Sequence, residues 1–131
     1  MAMLLSRHVR TDMIMPTPNF RANNELALHV ADPDAAAEFY ARVLGCRIAN
    51  RTPGWIELAS GALRMYLVRD PAPTHDRVIL SFDVEDREAA VRHLQAAGCT
   101  LVPIGPHSPD GFYLRDPAGV VFDVIQRGGS A

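Results

Sequence analysis

Three absences narrow this 131-residue chain before any motif is read. It has no excess of one charge: 13 cationic residues, scattered along the chain, face 15 acids, for a formal net charge of -2. A nucleic-acid backbone needs clustered cations, so no nucleic-acid partner is expected. It also has no apolar run approaching the ~18 residues that span a bilayer, and Arg7, His8, Arg10 and Asp12 interrupt the apolar stretches near the start. No membrane partner is expected, and the predicted location is cytoplasmic. Cysteine is scarce, with only Cys46 and Cys99, too few for a disulfide-stapled scaffold. Against these absences, 48% hydrophobic residues are enough to bury a core of one compact domain.

What is present is a phrase stated twice. Glu25-Leu-Ala-Leu-His-Val-Ala-Asp32 alternates like a strand and runs into Pro33-Asp-Ala-Ala-Ala-Glu-Phe-Tyr40, with Val43-Leu44-Gly45-Cys46 closing it. Period-two alternation sends Leu26, Leu28 and Val30 to one face and Glu25, Ala27 and His29 to the other. Asp32 is placed to cap a helix with Pro33 in its first turn, and Gly45 to end it. The same order returns at Ile79-Leu-Ser-Phe-Asp-Val-Glu-Asp86, Arg87 to Leu94 and Ala97-Gly98-Cys99. Such an internal duplication implies two copies of one structural unit. It also sets Cys46 and Cys99 at duplicate positions, where small buried filler explains both.

Each copy continues with three short strands. The first has 46–50, 55–58 and 63–68, with turns at Pro53-Gly54 and Ser60-Gly61; the second has 99–102, 111–115 and 120–125. The proline-bearing stretch 70–76 reads as a linker, and 103–110, with three prolines, as a loop. The predicted fold class is α+β: two tandem βαβββ modules, 25–70 and 78–127, after an N-terminal arm at 1–24 and before a disordered tail at 128–131. Neither module can cover its own sheet, so the two must pack as a pair.

Val30-Ala-Asp32 with Phe39-Tyr40 and Val43-Leu44-Gly45, together with the closing Leu114-Arg-Asp-Pro-Ala-Gly119 and Phe122-Asp123, resembles the vicinal oxygen chelate superfamily, the glyoxalase, bleomycin-resistance and extradiol dioxygenase group. The resemblance runs from about residue 25 to 127. It implies curved mixed sheets forming a cup-shaped half-barrel with helices outside. It also implies a divalent metal held by one residue from the first and one from the last strand of each module. Carried over by position, those corners are Glu25, Met65, Ile79 and Asp123. Ile79 has no lone pair, and a Met thioether suits Cu(I) better than Mg, Mn, Zn or Fe(II). The usual metal set is therefore missing, and no cofactor is expected. The remaining metal option joins Glu25 and Asp123 to one loop histidine, His75 or His107. His29 lies ~13 Å along the strand from Glu25, too far for one ion to bind both.

Glu25 and Asp123 are the candidate catalytic acids, since carboxylates inside a cup are costly unless used or solvated. The bland alternative starts Glu25 in water and pairs Asp123 with Arg64, Arg77 or a loop donor. His29 is a third candidate, as base or donor, set against an ordinary histidine satisfied by a neighbour. Trp55, Phe112 and Tyr113, with Met65 and Ile79, are candidate ligand-binding residues, of which Phe112 and Tyr113 must face opposite ways; filling the core is the competing role for each. The function expected is a metal-free binder of a small organic ligand, of the bleomycin-resistance kind. The alternatives are a carboxylate- or metal-based lyase, isomerase or dioxygenase, and an interaction domain whose cup its own side chains fill. A homodimer is expected, from the linker and the apolar arm.

Overall fold

Residues 17–127 are described in a computed structural model; most of the expected arm, residues 1–16, and the expected tail, 128–131, lie outside the described residues. The elements in chain order are β1 (Arg21–Ala22), β2 (Glu25–Val30), α1 (Pro33–Arg42), β3 (Arg47–Arg51), β4 (Trp55–Ser60), β5 (Leu63–Arg69), β6 (Val78–Val84), α2 (Arg87–Ala96), β7 (Thr100–Gly105), β8 (Ser108–Arg115) and β9 (Val121–Gln126). Apart from the short β1, this is βαβββ twice, an α+β architecture.

The two helices start for the same reason. Asp32 and Asp86 are extended, at φ -130° and -131°, and each side chain accepts the N–H of the third residue on, Ala35 or Ala89, at 3.1 Å. Pro33 then occupies a position whose N–H would have no helical partner. After α1 the chain reverses through Gly45 at φ +75°, a left-handed conformation that glycine adopts without steric cost.

The strands form one curved open sheet in the order β3-β4-β5-β2-β6-β9-β8-β7, with β1 against β6. Within each module the first strand lies parallel to the last, β2 with β5 and β6 with β9, and the modules join where β2 runs antiparallel to β6. The modules thus pair edge to edge within one chain. That seam is short: Ala27 faces Ile79 and Leu28 faces Val78, after which β1 takes over the edge of β6, Arg21 opposite Asp83. Because β2 and β6 part after so short a pairing, the half-sheets splay and leave a hollow.

The face away from that hollow carries two of the three core clusters, the third gathering Ile79, Val102, Tyr113 and Val121. Leu58, Leu67, Met65, Ile56, Ala37 and Cys46 pack beneath α1, with Leu26, Leu28 and Val30 against them; Leu114, Val124, Val84, Ala90 and Cys99 do the same beneath α2. Full burial of a side chain such as Leu67 or Leu114 contributes roughly 1.5–3 kcal/mol. Both cysteines are free and buried, one in each cluster. One expected loop is largely strand: β7 runs to Gly105 and β8 begins at Ser108, leaving only Pro106 and His107 between them. Strand β7 lies at the sheet's edge, where the missing N–H of Pro103 needs no partner, and a register shift follows that proline. Among the described residues no helix is long and apolar enough to cross a membrane.

Candidate functional site

The hollow is a cavity of about 300 Å³. Strand alternation sets most of what lines it: Glu25 and Ala27 from β2, with Leu26 at the margin, Tyr66 and Val68 from β5, Ile79 and Ser81 from β6, Asp123 and Ile125 from β9, then Trp55 and Tyr113 from the flanking β4 and β8 and Arg127 after β9. Trp55 and Tyr66 meet edge to face, their centroids 5.5 Å apart. The wall is therefore apolar and aromatic, with two acids and one arginine set into it.

Of the residues expected from sequence, Glu25, Asp123, Ile79, Trp55 and Tyr113 line this cavity together. Met65 does not. It packs with Leu58 and Leu67 under α1, and its β5 neighbour Tyr66 faces the hollow. Gly61 and Gly119, four residues before Met65 and Asp123, are not equivalent points: Ser60 pairs with Leu63 across a two-residue turn, whereas Arg115 pairs with Val121 across five residues. Tyr66, opposite Ala27, holds the place that Asp123 holds opposite Ser81. Phe112 also faces the other way, into the core beneath α2, where the Arg87 guanidinium stacks 4.5 Å from its ring centroid.

The two acids are in different states. Arg127 Nη2 donates to both Glu25 carboxylate oxygens, at 3.0 and 3.1 Å, and its Nη1 lies 3.6 Å from Asp83. Asp123 has no such partner: its Oδ1 accepts from the N–H of Val124 at 2.9 Å, and it takes part in no ion pair among the described residues. Arg64 pairs instead with Glu57, and Arg77 Nη1 donates to the carbonyl of His29 at 3.2 Å. Burial pushes the Asp123 carboxyl up to about 6, against the Val124 hydrogen bond and the nearby Arg87.

His29 is on the predicted face but wholly buried, behind the cavity wall. Its Nδ1 is 2.9 Å from Asp70 Oδ2, and its Nε2 is 2.8 Å from the Tyr113 hydroxyl. A carboxylate can only accept, so Nδ1 carries the proton, and Nε2 accepts from the Tyr113 O–H. Burial holds His29 below the ordinary imidazole range despite the Asp70 hydrogen bond, and burial, with Asp123 and Asp70 nearby, pushes the Tyr113 phenol well above its own. His75 stands over this group, its ring 4.5 Å from that of His29. Sequence reasoning weighed Tyr66 only as one of the strand aromatics and not as a corner, and it missed Asp70, Ser81 and Arg127. Asp70 was within reach: it lies two residues past Val68, the register partner of His29, and so shares its face.

The four corner positions do not suit a divalent ion. With the register corrected they are Glu25, Tyr66, Ile79 and Asp123. Both oxygens of Glu25 are engaged by Arg127, and Ile79 offers no donor. Burial and the nearby Glu25 and Glu57 raise the Tyr66 phenol and so resist the deprotonation that ligation needs. That leaves Asp123 alone.

Residues 25–125 match the model of the family described as "Glyoxalase-like domain", and the chain belongs to that family. Over 112 aligned residues it is 34% identical to the uncharacterized protein PA2024 of Pseudomonas aeruginosa, covering 72% of this chain and 80% of that protein. Its fold is similar to that of a glyoxalase/bleomycin resistance protein/dioxygenase superfamily member from Vibrio splendidus, with a TM-score of 0.55 and 17% identity over 84% of this chain and 98% of the other. It is also similar to homoprotocatechuate 2,3-dioxygenase from Brevibacterium fuscum in complex with 3,4-dihydroxyphenylacetate, with a TM-score of 0.57 and 20% identity over 87% of this chain and 39% of that one. Family match and fold together assign the chain to the vicinal oxygen chelate superfamily. At these identities the structural likeness concerns the fold alone.

Proposed function

We propose that the cup binds a small, flat organic ligand that carries a protonated amine or another strong hydrogen-bond donor, with no divalent ion at the four strand corners. The observation that carries this reading is Asp123: a carboxylate set in an aromatic-walled hollow with no cation bonded to it among the described residues. A ligand cation would supply the missing charge, while Trp55 and Tyr66 offer π surface to its ring. Tyr113 supports the same polarity. Its hydroxyl proton is committed to His29, so toward any ligand that reaches it the oxygen can only accept.

Thermal-shift and calorimetric titration of wild type and D123N against matched aromatic amines and neutral isosteres tests this. A charge-assisted hydrogen bond of roughly 1.5–3 kcal/mol should give the amines a preference of tenfold or more that D123N removes. Equal binding of amines and neutral isosteres would sink it. A second reading, an isomerase or lyase that moves a proton beside a carbonyl, is favoured by the same residue, because a carboxyl near 6 can give and take protons around neutral pH. Deuterium exchange into candidate substrates, abolished in D123N, would distinguish catalysis from sequestration.

A homodimer remains part of this reading. Leu80 and Val120, each 47% exposed, border an apolar groove with Phe82 and Phe122 that a second copy could cover, and sedimentation velocity at micromolar concentration tests that.

A further inference from the structure

The residues behind the cavity wall carry more than Tyr113 requires. Asp70 has a side chain only 4% exposed, yet among the described residues the one side-chain donor bonded to its carboxylate is His29 Nδ1. A buried carboxylate with one donor still calls for positive charge. His75 is frustrated in a complementary way: its Nδ1 is 2.8 Å from the carbonyl of Asp76 and its Nε2 is 3.0 Å from the carbonyl of Ile104. A neutral imidazole has one N–H, so one of these approaches sets a lone pair against a carbonyl oxygen. The ligating atoms of His29, Asp70 and His75 all lie within 4.8 Å of one another, and no other such trio occurs among the described residues.

We infer that His29, Asp70 and His75 form a site for one divalent transition-metal ion at the junction of the two modules, separate from the four corners of the cup. Two imidazoles and a carboxylate suit Zn, Fe(II), Co or Ni, whereas Mg and Ca take oxygen donors. The residues come from β2, the position just after β5 and the linker before β6, so one ion ties the linker to the seam. His107 stands close by. A Cβ built on Gly105 would be 3.4 Å from Asp70 Oδ2 and 3.7 Å from His107 Nδ1, so that glycine backs the Asp70 carboxylate and the His107 ring alike.

Loading has a proton consequence that can be written atom by atom. The ion replaces the proton on His29 Nδ1, and the imidazole stays neutral by carrying one on Nε2 instead. That N–H must then donate to the Tyr113 oxygen, the reverse of the present bond. The Tyr113 hydroxyl proton turns to the cup, so the ion would change Tyr113 from an acceptor for the cup's ligand to a donor. Such outer partners ordinarily fix the orientation of a metal-bound histidine.

The test uses the untagged full chain, stripped with chelator and titrated with Co(II), whose visible d–d bands report the ligand set, and with Zn(II) under thermal melting. One equivalent should bind, and Zn(II) at a hundred times its Kd should raise Tm by roughly 5–10 °C. D70N and H75A should each weaken Co(II) by tenfold or more, while D123N and H93A, altered in the cup and on α2, should bind like wild type. If D70N proves unstable, H75A carries the test, because its residue is half-buried in a linker and circular dichroism will show whether it folds. No retained ion, affinity unchanged in H75A, or binding lost in H93A would each overturn the site. Because D123N is expected to keep the ion, failure here is distinguishable from failure of the cup reading.

Discussion

Replacing Asp123 by asparagine removes a charge from a place that penalises charge, and the size of the effect can be worked through. The carboxyl titrates at about 6 in the fold against 3.8 ordinarily. Folding therefore favours its protonated form. Below pH 3.8 both folded and unfolded chains carry the proton, and wild type loses nothing. As pH rises from about 4 to 6 the unfolded chain ionises first, and wild type loses stability until both states are charged. A shift of about two pH units corresponds to roughly 3 kcal/mol, an upper figure because the cavity is open to water.

D123N should accordingly be more stable than wild type by about 1–3 kcal/mol at pH 7.5. The gain should be roughly half that near pH 5 and vanish below pH 4. Urea unfolding at fixed pH values from 4 to 8 measures it, with the slope m compared to confirm that only stability has changed. The ligand-binding proposal makes this gain informative, since an acid kept at a cost to folding is one that function uses. A D123N no more stable at pH 7.5, or a gain that does not change with pH, would refute the reasoning from burial.

Arg127 bonds Glu25 and lies beside Asp83, and its charge also lowers Asp123. R127M should cost about 1 kcal/mol, modest because the arginine side chain is 41% exposed, and should move the Asp123 titration seen by carboxyl NMR to higher pH. L67A empties a fully buried site beneath α1 and should lower stability by about 2–5 kcal/mol in urea melts. G45A adds a Cβ with nothing within 4 Å but at φ +75°, so it should cost about 1 kcal/mol from backbone strain alone, read as a lower Tm with unchanged near-UV dichroism.

Local chemistry repeated at an interval made the frame legible. Asp32 and Asp86 announce two helices because a cap acts over three residues, and the period-two alternation of 25–30 survives in the structure because both faces of that strand are used differently. The site depends on distances the periodicity does not carry. Arg127 reaches Glu25 across 102 positions and Tyr113 reaches His29 across 84, and no local pattern marks either pair. Tyr66 was exchanged for Met65 by a slip of one residue along β5, since one step of register turns a whole strand over.

The same dependence explains why two modules with one frame do not make a symmetric cup. Glu25 and Ile79 hold equivalent places on β2 and β6, and Tyr66 and Asp123 on β5 and β9. The first module thus contributes an acid and a phenol, the second an aliphatic side chain and an acid. Arg127 follows the last strand and neutralises the first acid, leaving the second bare. Duplication explains where the four corners are, and divergence explains why only one of them holds a charge with no ion-pair partner among the described residues. The buried His29 belongs to that divergence: its counterpart fifty-four positions on is Asp83, beside Arg127 on the other half-sheet. Asp70, His75 and Tyr113 consequently gather at one end of the seam alone, and a perturbation there should reach the cup through Tyr113, whose hydroxyl bonds His29 and whose side chain lines the cavity.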